Sequence, residues 1–227
     1  MPRALHDAPY KLLFSSPRMV ADLIRGFVPD PWLARFDPAT LVPAPTNLVT
    51  PRMQQLHSDM VWRLHAPDAQ GEVIVHIEFQ SRPRHDMPLR MLEYLAHILK
   101  GWVRNAERPQ TDDWPPVLSI VLYSGKARWH GSPRIEDHIR RLPRGLLRRS
   151  VQHRFVLIDI QRLRLQQLDR LDSVLALLMR FELRHRSEDM MEVMARLDHQ
   201  IARQDPLRET IRTWALAAVG ESSSLAP

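Results

Sequence analysis

Asp59, Glu78 and Gln80 are oxygen-bearing side chains placed where they could do chemistry together. They lie in HSDMVWRLHAPDAQGEVIVHIEFQ, residues 57–80, which reads as two strands joined by a polar loop. Val61, Trp62, Val73, Ile74, Val75 and Ile77 are the β-branched and aromatic residues that fit a pleated surface, and Pro67-Asp68-Ala69-Gln70-Gly71 supplies turn chemistry. A turn centred between Asp68 and Ala69 sets Asp59 directly opposite Glu78, with Cβ atoms about 4.5–5.5 Å apart, where like charges repel. Gln80 shares their face, because side chains alternate along a strand. Two acids and an amide crowded together cost stability unless a cation sits among them, and hard oxygen ligands suit Mg²⁺. Such a site polarises a phosphodiester and lowers the pKa of water for attack. The residues equally allow a blander arrangement, with Asp59 exposed and Glu78 paired to an arginine, and a one-residue slip would turn Asp59 to the opposite face.

The chain as a whole narrows the choice. Its 227 residues suffice for one sizeable core or a domain with an appendage, and 44% hydrophobic with 26% charged residues is ordinary for a soluble protein. No run is apolar enough to span a bilayer and MPRALHDAPY lacks the apolar core of a signal peptide, so a cytoplasmic location and no membrane partner are expected. The absence of cysteine excludes disulfide scaffolds, thiolate zinc sites and cysteine nucleophiles. The 11 histidines show no metal-binding helical spacing, and His57, His65 and His76 are scattered over the hairpin. A formal net charge of +6 favours polyanions, although the excess is nearly all arginine, as a compositional bias also produces.

The elements that must position the acids can be read in order. Asp7 with Pro9, then Ser16-Pro17, mark helix starts, so helix is predicted over about residues 8–27 with a break near Ser15-Ser16. Residues 29–51 carry too many prolines for any regular element. Asp86 with Pro88 starts a second helix, for which Leu89, Leu92, Leu95, Ala96, Leu99 and Val103 form the predicted apolar face. Arg90 and Tyr94 fall near its other side, close to the end of the second strand, where Arg90 suits bidentate phosphate contact. Val117 to Tyr123 reads as a strand buried on both faces, followed by the basic residues Lys126 and Arg128, and Phe155 to Ile160 as another short strand. Residues 133–153 are arginine-rich without interleaved aromatics, a pattern of backbone contact more than base stacking. Helical spacing returns over 171–185, 188–203 and 206–219. The order predicts an α/β fold, a mixed β-sheet core flanked by helices with a C-terminal helical extension: 1–165 as the main domain, 166–220 as the extension and 221–227 as a tail.

Five segments carry a resemblance: HDAPYKLLF at 6–14, SDMVWRL at 58–64, VHIEFQS at 75–81, MPLRMLEYLAHIL at 87–99 and PPVLSIVLYSG at 115–125. In this order they resemble the Rpn or YhgA-like recombination-promoting nucleases of the PD-(D/E)XK superfamily. The resemblance implies a restriction-endonuclease-like fold and a Mg²⁺-dependent DNA endonuclease, with Mn²⁺ or Ca²⁺ as substitute ions, that promotes recombination or acts in mobile-element or phage-defence biology. It further implies Asp59 and Glu78 as metal ligands, and Gln80 as the third catalytic position, where the wider superfamily has lysine. An amide only hydrogen-bonds where an ammonium also offsets charge, which leaves Lys11, Arg82 or Arg90 to supply that charge. Lys11, Arg82, Arg90, Tyr94 and Lys126 are the expected nucleic-acid contacts. The rival readings are a catalytically silent nucleic-acid-binding module and an oligomeric interaction protein, a homodimer through its C-terminal helices.

Overall fold

A computed structural model of the chain describes residues 4–31, 33, 36–44, 60–65, 72–104, 113–140, 144–147, 149–184 and 187–223. They form two compact units: residues 39–159 make one, while residues up to 38 and from 160 onward make the other.

The first unit is built on a five-stranded mixed sheet in sequential order. Its strands are β1 (Val42–Pro43), β2 (Met60–His65), β3 (Glu72–Gln80), β4 (Val117–Tyr123) and β5 (Val156–Asp159). β1, β2 and β3 are antiparallel neighbours, and β3, β4 and β5 run parallel. In the hairpin Met60 faces Ile77, Trp62 faces Val75 and His65 faces Glu72, the register that a turn centred between Asp68 and Ala69 requires. β3 is the middle strand, and every residue from Val73 to Gln80 is buried. A parallel neighbour needs a crossover rather than a tight turn. Helix α3 (Met87–Arg104) lies in that connection.

Two apolar stripes run along α3, and the structure buries the one that the sequence reading passed over. Met87, Met91, Tyr94 and Ile98 pack into the core with Ile74 of β3 and Val121 and Tyr123 of β4. Leu89 is 63% and Val103 61% exposed, Ala96 is exposed, and Leu92, Leu95 and Leu99 are only half-buried. The sheet face under α3 carries the buried polar residues His76 and Glu78, and a stripe of leucines has nothing to offer them. The stripe beside Arg90 and Tyr94 covers apolar and polar groups alike.

The proline-rich segment also departs from expectation, because regular structure does form there. Pro38–Thr40 is a 3-10 turn, and Val42–Pro43 pairs with Arg63 and Trp62. A two-residue edge strand tolerates proline because its outer side lacks a ladder to break. The arginine-rich stretch holds a 3-10 turn, Ile135–His138, and the short helix α4 (Arg144–Leu147).

The second unit contains α1 (Ala4–Leu13), α2 (Pro17–Phe27), α5 (Leu165–Asp169), α6 (Val174–Arg184), α7 (Ser187–Gln200) and α8 (Leu207–Ser223). α1 begins before Asp7, which therefore lies inside the helix rather than capping it. The predicted break stands: α1 ends at Leu13 and Pro17 opens α2, with Ser16 in the extended conformation that precedes a helix. Tyr10 of α1 donates to Glu182 of α6, and its ring meets Trp214 of α8 edge-on at 6.5 Å. Asp22 of α2 accepts the Leu175 N–H at 3.2 Å, satisfying an orphan donor in the first turn of α6. Helices from both ends of the chain thus share one core, a different division from a domain ending at residue 165. α8 runs through Ser223, so the expected tail begins within it.

The exit from β4 is sterically fixed. Ser124 N–H donates to the Gln80 carbonyl at 3.0 Å, and a Cβ on Gly125 would lie 2.4 Å from the Ser81 carbonyl oxygen and 2.3 Å from Tyr123 Oη. Gly125→Ala should destabilise the protein by about 1–3 kcal/mol, the usual range for overpacking, read as a lowered urea midpoint. Gly145→Ala is the control: nothing lies within 4 Å of its Cβ position, and alanine in that helical turn should leave the midpoint unchanged or raise it.

Candidate active site

The alternation of β3 sends Ile74, His76, Glu78 and Gln80 to the face that α3 covers. In register beside them on β4 stand Ser119 against His76, Val121 against Glu78 and Tyr123 against Gln80. Glu78 is 1% exposed and Gln80 7%. A carboxylate so deep needs a countercharge and hydrogen bonds, and both are present. Arg90, in the first turn of α3, places a terminal nitrogen 2.8 Å from Glu78 Oε1, and Gln80 Nε2 donates to the same oxygen at 2.9 Å.

The network continues away from the acid. Arg90 Nε donates to Tyr94 Oη at 2.7 Å, one helical turn on. Tyr94 is fully buried, and its ring meets that of His76 edge-on at 4.8 Å. Burial above all, then the nearby positive charges of Arg90 and His153, push the His76 imidazole down to about 3. It is therefore neutral at physiological pH, a polar-tipped ring packed against Tyr94.

The other candidates occupy different places. Arg82 is exposed in the turn after β3, where its neighbour Arg84 holds Asp86 through two hydrogen bonds of 3.0 and 2.6 Å. Lys126 is exposed just beyond Gly125. Lys11 is half-buried on α1, in the helical unit. Tyr94 lies beneath the surface and is joined to the site through Arg90. Asp59 lies outside the described residues; Met60, the residue after it, is paired in the predicted register. Among the described residues no group of three or more His, Asp or Glu is poised around a common point for a metal. Glu78 and Gln80 do match a hard divalent cation in donor type, one carboxylate and one amide held together.

Two residues on this face escaped the sequence reading. His76 belongs to no metal-binding motif in the sequence, yet it shares the parity of Glu78 and Gln80 along one strand. Asp159, at the end of β5, stands beside Tyr123 in register and so shares the face as well. Parity alone would have found the first. The second required knowing that β5 runs parallel beside β4.

A family model described as "Putative transposase, YhgA-like" matches residues 4–211. The chain belongs to this family. The match takes in both compact units, and the resemblance carried by the five sequence segments is thereby borne out. Among curated relatives, the chain is 26% identical over 120 residues to the recombination-promoting nuclease RpnD of Escherichia coli O157:H7, covering 53% of this chain and 45% of the relative. It is 27% identical over 120 residues to the recombination-promoting nuclease RpnA of Escherichia coli strain K12, covering 53% and 40% respectively. A third relative, from the same strain, is named an inactive recombination-promoting nuclease-like protein, RpnE, with 25% identity over 121 residues, 53% of this chain and 39% of the relative. The chain thus spans less than half the length of these relatives. No solved structure matches it.

Two stability measurements test the network. Arg90→Met leaves Glu78 with a buried, uncompensated charge and should cost about 3–5 kcal/mol, whereas Arg90→Met combined with Glu78→Gln should recover much of that loss in a double-mutant cycle. The second measurement concerns pH. Folded His76 takes a proton only near pH 3, against 6.5 ordinarily, so in between the unfolded chain binds the extra proton. Its contribution is complete above about pH 6.5 and is lost as pH falls towards 3, by at most about 1.4 kcal/mol per pH unit. His76→Leu should show a shallower acid dependence of its urea midpoint than the wild type; an identical slope would remove His76 as the cause.

Proposed function

We propose that this chain is a metal-dependent DNA endonuclease in which Asp59 and Glu78 hold Mg²⁺. The observation that carries the reading is a buried carboxylate, Glu78, joined to the Gln80 amide on the central strand of a mixed sheet, in a family whose relatives include named recombination-promoting nucleases. Those names support a nuclease or transposase-like function. The ion, when bound, polarises the scissile phosphodiester and acidifies a water. Around it Glu78 supplies a buried anionic ligand, and Gln80, already bonded to Glu78, orients water or holds the ion through its amide oxygen. Arg90, Arg82 and Lys126 belong to the same compact unit and offer positive charge for the phosphates. The overall charge of +6 favours a polyanionic substrate, and DNA in a cytoplasmic setting is the polyanion of this reading. Among the described residues no helix is long and apolar enough to cross a membrane.

A second reading has an observation of its own. Arg90 already neutralises Glu78, and Gln80 stands where an ammonium serves the wider superfamily, an arrangement suited to a silent module that binds nucleic acid without cutting it. One named relative is described as inactive. Supercoiled plasmid incubated with purified protein separates the two. Nicking should require Mg²⁺, and Asp59→Ala and Glu78→Ala should each slow it at least about 100-fold, beyond the effect of losing a mere outer partner, while DNA binding persists. Cleavage unchanged by both substitutions would exclude these acids as ligands, and wild-type binding without Mg²⁺-dependent cleavage would leave the silent module.

A further inference from the structure

A group that engages Glu78 at 2.8 Å is itself a cation. Arg90 spans two partners with one planar guanidinium: a terminal nitrogen 2.8 Å from Glu78 Oε1 and Nε bonded to Tyr94 Oη at 2.7 Å. A lysine ammonium is a point charge on a flexible stem and cannot present a fork of this kind. The root of the side chain is fixed, since Arg90 N–H donates to the Asp86 carbonyl at 3.1 Å. The far anchor is fixed as well, because Tyr94 is fully buried and wedged against His76. The terminal nitrogens lie farthest from these anchors, on a side chain that is 16% exposed.

We propose that Arg90 is the resident counter-cation of Glu78. It holds the carboxylate while no divalent ion is bound, and pivots about its Tyr94 bond, off Oε1, when one enters. This inference rests on the reading of Glu78 as a metal ligand. Its physical basis is charge repulsion where water is scarce: a guanidinium and a divalent ion on one buried carboxylate repel each other with little screening, so they occupy it alternately. Gln80 stays on Oε1 throughout and keeps the carboxylate oriented during the exchange. The displaced guanidinium keeps its Tyr94 anchor and then presents its terminal nitrogens to a phosphate oxygen, so the positive charge missing at Gln80 arrives only with the metal. Tyr94 is in this scheme a positioning residue, acting through Arg90.

The test compares wild type, Arg90→Met, Tyr94→Phe and Glu78→Gln as full chains, reading Mn²⁺ affinity from the electron paramagnetic resonance of the free ion and the melting temperature in metal-free buffer. Arg90→Met should melt lower than wild type without metal yet bind Mn²⁺ at least about tenfold more tightly. Tyr94→Phe removes a bond that the guanidinium keeps in both positions and should leave the affinity within about twofold of wild type, whereas Glu78→Gln should lose at least about tenfold. A purely structural arginine would lower the melting temperature and leave Mn²⁺ affinity alone. Equal affinity of wild type and Arg90→Met, with Glu78→Gln weakened, overturns the counter-cation role and leaves the metal site standing. Wild-type affinity in Glu78→Gln removes the metal site, and this proposal with it. Should Arg90→Met fail to fold, Arg90→Gln, which keeps a donor for Glu78 without the charge, takes its place, and no gain in its affinity overturns the proposal.

Discussion

One buried negative charge constrains everything around it. Glu78 sits near the C-terminal end of the central strand, almost without solvent, and a carboxylate there survives only with a cation and hydrogen-bond donors supplied by the protein. That requirement decides which stripe of α3 faces the sheet, since only one brings Arg90 within 2.8 Å. It decides as well what surrounds Arg90: a tyrosine whose hydroxyl accepts from Nε, and a histidine kept neutral beneath that tyrosine. The polar chain from Gln80 through Glu78, Arg90 and Tyr94 to His76 is enclosed by Met87, Met91, Ile98, Val121 and Ile74. Apolar packing therefore protects the network from water, and the network in turn spares the core an unpaired charge.

Much of this frame was legible in the amino-acid order. The turn between Asp68 and Ala69 gave the hairpin register residue for residue, because a short loop leaves few alternatives. The run at Val117–Tyr123, apolar apart from Ser119, marked a strand covered on both sides, and helical spacing located the C-terminal helices to within a few residues. Family-level motifs spanned the same elements, and the match over residues 4–211 agrees with them.

What stayed hidden depended on partners distant in sequence. Leu89, Leu92, Leu95 and Leu99 make the more hydrophobic stripe of α3, and hydrophobicity alone chooses them; the burial of Met91, Tyr94 and Ile98 follows only once Glu78 and His76 are known to lie underneath. In the same way Tyr10 and Asp22 look like ordinary helix residues until Glu182 and Leu175 arrive from the other end of the chain. Arg90 was recognised as a functional candidate, but phosphate was its expected partner. Its first partner in the folded chain is the acid it was meant to assist.

The place of α3 in the chain gives the site a history in time. The β2–β3 hairpin closes over a short loop, an event of microseconds, whereas pairing β3 with β4 waits for the crossover that contains α3. Until that helix docks, Glu78 is hydrated and needs no countercharge; docking strips its water and delivers the guanidinium in one movement. The reverse also holds. A local opening confined to α3 would rehydrate the carboxylate while leaving the hairpin paired, so the motion that exposes Met91, Tyr94 and Ile98 is also the one that uncovers the acid.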